Sequence, residues 1–583
     1  MSSSSSAALR TTGALILLQV SSRLFSFALN QFLLRSVDPQ AFGTATIRFD
    51  TLIGTVLFLL REGVRGAVVR TCSPSNTTTT SSTPLSRTLY LPTLLSPLAL
   101  LAFLLYSSYL SPPASLLPPF YNPTLALYLL ATLLELSFEP LYLRTLQDWE
   151  TLTTGRVRVE GVATLVKAFA TLGVVKLGVR RKEDGLLAFG VGQVAYSATI
   201  WVGLWWIVRK HRATSSSAVE KEEKPALASR GFLNLPSPLF HPPLLSLSWA
   251  LTKQSLVKQL LTEGDKLAVG KFGSGEDMAG YAVALNYGSL IARIVFLPLE
   301  ESSRLYFSSL SHSSHSSSSS TTRVPLSHLL SVSSYLRLLL LLHTHLTLLF
   351  LLLAPSYTTP LLTLLLGPTW SSTAGPTLRA YCLSLPFLGF NGLTEAFFQS
   401  VASPSWIARG SAWMAACAVG FAGAVALFCG GLGMGARGLV SANCVNMAMR
   451  VGFSVRFMRA FFRDQLEGRN GKEEKGQEEK VKEQLRFSSW TPRPATVLAF
   501  ALGGWMVRAS EGRWAGRVAE LAKEAGKGGR WESLRATAEH LGVGACVGVG
   551  CLAVVFLTRR HEIRGLVSSL KGSTPGGGDK KED

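Results

Sequence analysis

Charge is scarce in this chain. Of its 583 residues only 16% are Asp, Glu, Lys or Arg, against roughly 25% in an ordinary soluble protein. A chain of this length needs several cores if it is soluble, and so few charges cannot cover them, which excludes a large cytosolic globule. Acidic residues are scarcer still, 36 against 57 basic ones, leaving a net charge of +21. In a polar chain that excess would point to nucleic acid. Here the basic residues sit mainly between apolar runs, the pattern that faces an anionic cytosolic leaflet, so no nucleic-acid partner is expected. Cysteine is thin as well: the residues at 72, 382, 417, 429, 444, 546 and 551 form no C-x-x-C and lie mostly inside apolar stretches. They read as small buried hydrophobes, neither a disulfide framework nor a metal site. The G-x-x-x-x-G-K-[ST] phosphate loop is absent, and Gly273-Ser274-Gly275 is a short turn, so no nucleotide or other cofactor is expected.

What the chain does have is apolar length. Fourteen windows approach the ~20 residues that cross a hydrocarbon core. Clear ones lie near 89–110, 124–146, 185–208, 328–353, 407–429 and 538–558; windows carrying several polar residues lie near 12–34, 45–69, 157–179, 249–271, 278–302, 376–400, 437–461 and 493–511. The expected fold is an all-α polytopic membrane protein of about 14 transmembrane helices. Between the windows, the connection from Arg209 to Pro243 and the charge run from Arg463 to Arg486 are the longest soluble segments, and neither shows the periodicity of a folded domain. The tracts at 73–83 and 308–322 read as low-complexity linkers, with His312 and His315 solvated.

Fourteen spans place both termini on one side. Lys and Arg in the termini and even-numbered connections outnumber those in the odd-numbered ones roughly twofold, which assigns both termini to the cytosol. The segment from Ser2 to Ser6 is no basic n-region and no cleavage site is obvious after it, so the first span is expected to stay. Lys580-Lys581 near the C-terminus resembles a dilysine signal for retrieval to the endoplasmic reticulum.

Charged residues within spans are costly, about 2.5–3.5 kcal/mol each at mid-membrane, and mark cavities or partners. The seventh window holds Lys253, Lys258, Glu263, Asp265 and Lys266. Lys258 and Asp265 share nearly one face, and Lys253, Gln254 and Lys258 cluster on adjacent turns, so one stripe of this helix is expected to line water. The second window offers Arg48, Asp50, Arg61, Glu62 and Arg65; the fifth, Glu160 and Lys167; the eighth, Arg293 and Glu300; the twelfth, Asn443, Asn446 and Arg450 in an i, i+3, i+7 row. Each group read singly fits helix-to-helix ion pairing. Read together they point to a solvated cationic cavity with an anionic guest.

The stretches Lys253 to Gly264, Gly288 to Arg293, Pro298 to Ser302, Asn391-Gly392-Leu393-Thr394-Glu395, Ala442 to Met447 with Arg450, Leu57 to Glu62, and Glu139-Pro140 closely resemble the Rft family. The resemblance runs in order over spans two to twelve and thins at the 209–243 and 308–322 linkers and the last two spans. It implies endoplasmic-reticulum proteins linked to flipping of the dolichyl-pyrophosphate oligosaccharide used in N-glycosylation. It also implies the fold of the multidrug, oligosaccharidyl-lipid and polysaccharide exporter superfamily: two pseudo-symmetric six-helix lobes around a central cavity, plus two C-terminal helices. The implied division is an N-terminal lobe at 1–208, a cytosolic linker at 209–247, a C-terminal lobe at 248–462, a cytosolic charged loop at 463–492, two further helices at 493–558 and a cytosolic tail at 559–583.

The leading function is therefore translocation of the dolichyl-pyrophosphate oligosaccharide lipid from the cytosolic to the lumenal leaflet of the endoplasmic reticulum membrane, without enzymatic chemistry. The expected cavity residues are Arg61, Arg65, Lys167, Lys253, Lys258, Glu263, Asp265, Arg293, Glu300, Asn391, Glu395, Asn443, Asn446 and Arg450. Lys258 as a point charge and Arg61, Arg293 and Arg450 as forked donors would take the pyrophosphate. The alternative is a non-transporting accessory or scaffold protein of lipid-linked oligosaccharide assembly, and association with the N-glycosylation machinery fits either reading. A dolichyl-phosphate glycosyltransferase is disfavoured, since Arg35 to Gly43 offers Asp38 alone and not an acidic pair. A cation-coupled drug exporter would want an acidic cavity.

Overall fold

The structure is a computed structural model that describes residues 29, 31–71, 87–112, 117–147, 149–177, 182–218, 241–315, 325–467, 472–523 and 529–572. No strand occurs among these residues, as expected where backbone polar groups must be satisfied inside the hydrocarbon layer. The principal helices are α1 (Asp50–Thr71), α2 (Ser96–Leu105), α3 (Tyr121–Gln147), α4 (Trp149–Leu177), α5 (Leu186–Ala218), α6 (Pro242–Phe272), α7 (Gly275–Ile291), α8 (Leu297–His315), α9 (Leu326–Leu365), α10 (Pro368–Val401), α11 (Pro404–Val425), α12 (Gly435–Leu466), α13 (Lys472–Leu485), α14 (Pro494–Lys523) and α15 (Gly529–Gly572). Among the described residues seven stretches are long and apolar enough to cross a membrane: Pro39–Val68, Tyr121–Leu146, Leu186–His211, Gly275–Arg304, Leu326–Leu365, Ser405–Gly431 and Trp531–Arg560. The protein spans the membrane several times.

Seven of the fourteen windows read from the sequence meet that measure among the described residues, and polarity accounts for most of the others. The windows at 157–179, 249–271, 376–400, 437–461 and 493–511 fall on α4, α6, α10, α12 and α14, which have the length of a span but are interrupted by charged and polar residues. The window at 89–110 falls on a shorter apolar helix, Ser96–Leu110. The first window lies almost wholly outside the described residues, as do the 73–83 tract and the Lys580-Lys581 tail.

The chain divides into two compact units, Met1–Ala282 with Leu365–Thr369, and Val283–Leu364 with Trp370–Asp583. The division falls within α7, and within the first unit α6 packs along α1. At their crossing Gly63 brings backbone against backbone: a Cβ there would lie 2.0 Å from Thr252 Oγ1 and 2.6 Å from the Ser248 carbonyl. Small residues at such crossings let helices approach closely where lipid supplies no hydrophobic drive. The α4–α5 pair repeats the device, with Gly192 facing Thr171 and Gly203 facing Val159. The helical entry to α1 is set by Asp38, whose carboxylate accepts from the Gln40 N–H at 2.9 Å ahead of Pro39. Asp38 thus has a capping role here.

In the second unit, α8, α9, α10 and α12 meet in an aromatic core in which Phe307, Phe397, Phe457 and Phe462 are almost fully buried. The Phe397 and Phe462 rings stack at 5.7 Å. The charge run from Arg463 to Arg486 lacks the apolar periodicity of a folded domain. It contains α13, whose Val481 is fully buried against this core, with Leu485 alongside. Two apolar residues four apart in a charged segment are enough to dock one helical face. The 308–322 tract likewise begins as helix, since α8 continues to His315. Helices α14 and α15 pack on α9 through Leu352, Phe500, Val507, Val547 and Cys551.

The glycine crossing makes a direct test. Gly63→Val is expected to overpack α1 against α6 at a cost of about 1–3 kcal/mol or more, lowering the thermal midpoint of the detergent-solubilised protein by several degrees. Gly54→Ala on the same helix, with nothing within 4 Å of the added carbon, should leave the midpoint unchanged.

Candidate functional site

In the first unit the intramembrane charges form a connected network. Glu135 and Glu139 sit one turn apart on α3, facing Arg61 and Arg65, one turn apart on α1. Arg61 Nη1 donates to Glu135 Oε2 at 2.9 Å and Arg65 Nη2 to Glu139 Oε2 at 2.8 Å. The carboxylates are deeply buried, the Glu139 side chain fully so. The Arg65 guanidinium also lies 3.9 Å over the Tyr142 ring. Glu135 accepts further bonds from Gln193 Nε2 at 3.3 Å and Ser197 Oγ at 3.2 Å on α5. Gln193 in turn accepts from Lys167 Nζ of α4 at 2.6 Å. Lys167 lies 3.8 Å from Asp50 of α1, whose Oδ1 accepts the Tyr128 hydroxyl at 3.0 Å. The polar path therefore runs through α1, α3, α5 and α4 and returns to α1. Arg61, Arg65 and Lys167 belong to this one network, and each of them meets a carboxylate.

Helix α6 is different in character. Lys253 is exposed, 5.9 Å over the Trp249 ring. Glu263 pairs with Lys266 at 2.7 Å. Asp265 accepts from the Tyr281 hydroxyl at 2.6 Å and the Lys266 N–H at 2.8 Å, which joins α6 to the start of α7. Gln259, on the same helix, donates to Thr55 of α1 at 3.2 Å. The side chain of Lys258 lies outside the described residues, as does that of Arg293.

In the second unit Glu395 of α10 is a hub. It accepts from Arg450 Nη2 of α12 at 2.5 Å, from Asn391 Nδ2 at 3.3 Å and from Gln399 Nε2 at 2.9 Å. Glu300 of α8 lies against α10 at Gly392, where a Cβ would come 1.6 Å from its Oε1, so only glycine admits that carboxylate. Asn391, Glu395 and Arg450 are thus assembled, with Glu300 beside them; Asn443 and Asn446 are half-buried on α12. Reasoning on the sequence missed Glu135, Glu139, Gln193 and Ser197 as partners. The signal was present for the first two: acids four apart on one span, matched to arginines four apart on another. Among the described residues no grouping of His, Cys, Asp and Glu could hold a metal ion.

The chain has counterparts among known proteins. The family described as Rft protein matches residues 7–569. The protein named Man(5)GlcNAc(2)-PP-dolichol translocation protein RFT1 of Schizosaccharomyces pombe is 29% identical, covering 79% of this chain and 84% of its own length. Its namesake in Yarrowia lipolytica is 31% identical, covering 77% and 69%. That of Xenopus tropicalis is 28% identical, covering 77% and 81%. Among solved structures, the lipid II flippase MurJ in an inward closed conformation superposes with a TM-score of 0.56 over 94% of this chain and 100% of that one, at 13% identity. That likeness establishes a shared fold across nearly the whole length. With the family's pattern matched from residue 7 to residue 569, this chain belongs to the Rft protein family.

Proposed function

We propose that this protein translocates a dolichyl-pyrophosphate-linked oligosaccharide from the cytosolic to the lumenal leaflet of the endoplasmic reticulum membrane, in support of protein N-glycosylation. The observation that carries this reading is the likeness, over more than three quarters of the chain, to proteins named for moving Man(5)GlcNAc(2)-PP-dolichol. The sharing of a fold with a lipid flippase agrees with it, although a fold alone does not fix a function. In this reading the intramembrane charged residues have two roles. Arg61, Arg65 and Arg450, each held by a glutamate, form the framework. Lys253, exposed on α6, and Lys258 one turn or so further along are the proposed donors to the pyrophosphate in the first unit. Arg293 is carried as an independent proposal under the same test. Both termini are proposed to face the cytosol, in keeping with the Lys and Arg bias of the connections.

One observation favours the accessory reading instead: three of the arginines read from the sequence as ligands already have carboxylate partners, which reduces the charge on offer to an anion. The two readings separate at Lys258.

Each charged hydrogen bond to a pyrophosphate contributes roughly 1.5–3 kcal/mol, so losing one donor should weaken binding by about ten- to a hundredfold. Lys258→Gln and Arg293→Gln, each at matched membrane abundance, are expected to reduce complementation of N-glycosylation in cells lacking the protein. Leu260→Ala is the packing control. Full competence of the Gln variants, or loss only in proportion to lost protein, would favour the accessory role.

The framework residues should behave in the opposite way. Glu139→Gln leaves Arg65 without its buried counter-charge, and breaking such a pair costs about 3–5 kcal/mol. Membrane abundance and thermal midpoint are expected to fall sharply. Replacing both residues, Arg65→Met with Glu139→Met, should recover much of the loss; failure of the double variant to exceed the single one would contradict a framework role.

A further inference from the structure

In the second unit the pairing of α11 with α12 leaves a cleft of about 690 Å³ whose lining includes none of the residues assigned to the cargo. Its walls are Trp406 and Trp413 of α11 with Met449 and Phe453 of α12, and it carries two exposed cations, Arg409 and Arg456. Among the described residues no acidic side chain lines it, and neither guanidinium forms an ion pair. Arg409 stands 5.1 Å from the Trp406 ring. Two cations without an acid at one concave place make a field that attracts anions.

The cleft is ordered along the membrane normal. Trp406 meets Phe457 at 5.2 Å, whereas Trp413, two turns on, donates its indole N–H to the Met449 carbonyl at 3.0 Å, so α11 and α12 run antiparallel. Phe453 ties the walls together, its ring 6.1 Å from Trp406 and stacked at 6.0 Å on Trp413. Arg409 lies near the start of the apolar span Ser405–Gly431, and Arg456 is the neighbour of Phe457 at the Trp406 level. Seven residues of helix advance about 10 Å, so the cleft passes from a cationic end at the headgroup level to an aromatic and thioether end inside the hydrocarbon layer. Of the seven apolar spans this one is the least covered by the described residues, which leaves it facing lipid. At Gly452 an added Cβ would meet nothing within 4 Å, so the cleft is open there.

We propose that this cleft holds a glycerophospholipid with an anionic headgroup, bound apart from the cargo. Tryptophan is common at this level of any membrane protein; what sets this place apart is a pair of arginines above a rigid apolar cleft. Guanidinium forks match phosphate oxygens in bidentate fashion, and the aromatic walls pack the start of an acyl chain. A zwitterionic headgroup would leave the two cations without net compensation. The charge run from Arg463 to Arg486 follows α12 at this end, the side that the Lys and Arg bias gives to the cytosol, and anionic phospholipids are concentrated in that leaflet.

The full-length protein is placed in phosphatidylcholine nanodiscs doped with phosphatidylserine, and retained lipid is counted by native mass spectrometry. Wild type is expected to retain phosphatidylserine about tenfold better than the variant Arg409→Gln with Arg456→Gln, equivalent to one lost charged contact. Gly452→Leu keeps both arginines and fills the cleft, and is expected to lower retention as well. Arg437→Gln removes an exposed cation from the other end of α12 and should leave retention unchanged. Thermal midpoints in undoped discs check that each variant folds. Equal retention by wild type and the Gln pair, undiminished retention by Gly452→Leu, or an equal loss with Arg437→Gln would overturn the proposal. Displacement of the phosphatidylserine by excess dolichyl phosphate would also overturn it and give the cleft to a polyprenyl lipid.

Discussion

The pairing of Arg61 and Arg65 with Glu135 and Glu139 is the constraint on which the first unit depends. A charge at membrane depth must find a counter-charge or water, and here two arginines on α1 find two glutamates on α3. The remaining lone pairs of Glu135 then recruit Gln193 and Ser197 from α5, and Gln193 recruits Lys167 from α4. Once those partners are committed, helix rotations in the unit are largely decided. The glycine crossings of α1 on α6 and α5 on α4 follow, since a helix held by specific side-chain bonds can approach another closely only at a fixed position.

The second unit adds an aromatic core to its polar pairs. Its inner faces are filled by Phe307, Phe397, Phe457 and Phe462, and Glu395 gathers Arg450, Asn391 and Gln399 around it. Where α9 ends and α10 begins, Gly367 takes φ +100° immediately before Pro368, a reversal that a residue with a side chain adopts rarely. The turn therefore stays short between two long helices.

Much of this was legible in advance, unevenly. The apolar windows land on helices because length and composition report burial in lipid directly. The seven strongly apolar spans were the most legible, while helices such as α6 and α12 carry polar residues whose environment depends on neighbours that a one-dimensional reading does not see. The same limit governed the charges. Arg61 and Arg65 were visible as costly residues, but their reading as ligands overlooked that Glu135 and Glu139 repeat the same spacing two helices away. Val481 and Leu485 in the charged run were passed over because a single apolar pair at one end of a charged helix gives little periodicity. The family likeness, by contrast, was carried by short local stretches and needed no packing to be read.

Among the described residues, charges neutralised within a unit build the framework, and Lys253 is left exposed; the proposed function gives such exposed charges to an anionic cargo. The measurement that tests this most directly is leaflet exchange in vesicles. The purified protein is reconstituted with a dolichyl-pyrophosphate oligosaccharide, and the fraction of glycan reachable by an external sugar-binding or sugar-cleaving probe is followed with time. Movement of the internal pool to the outside, slowed by Lys258→Gln in correctly folded protein, is the result this account predicts. Exchange no faster than in protein-free vesicles would contradict translocation by this protein.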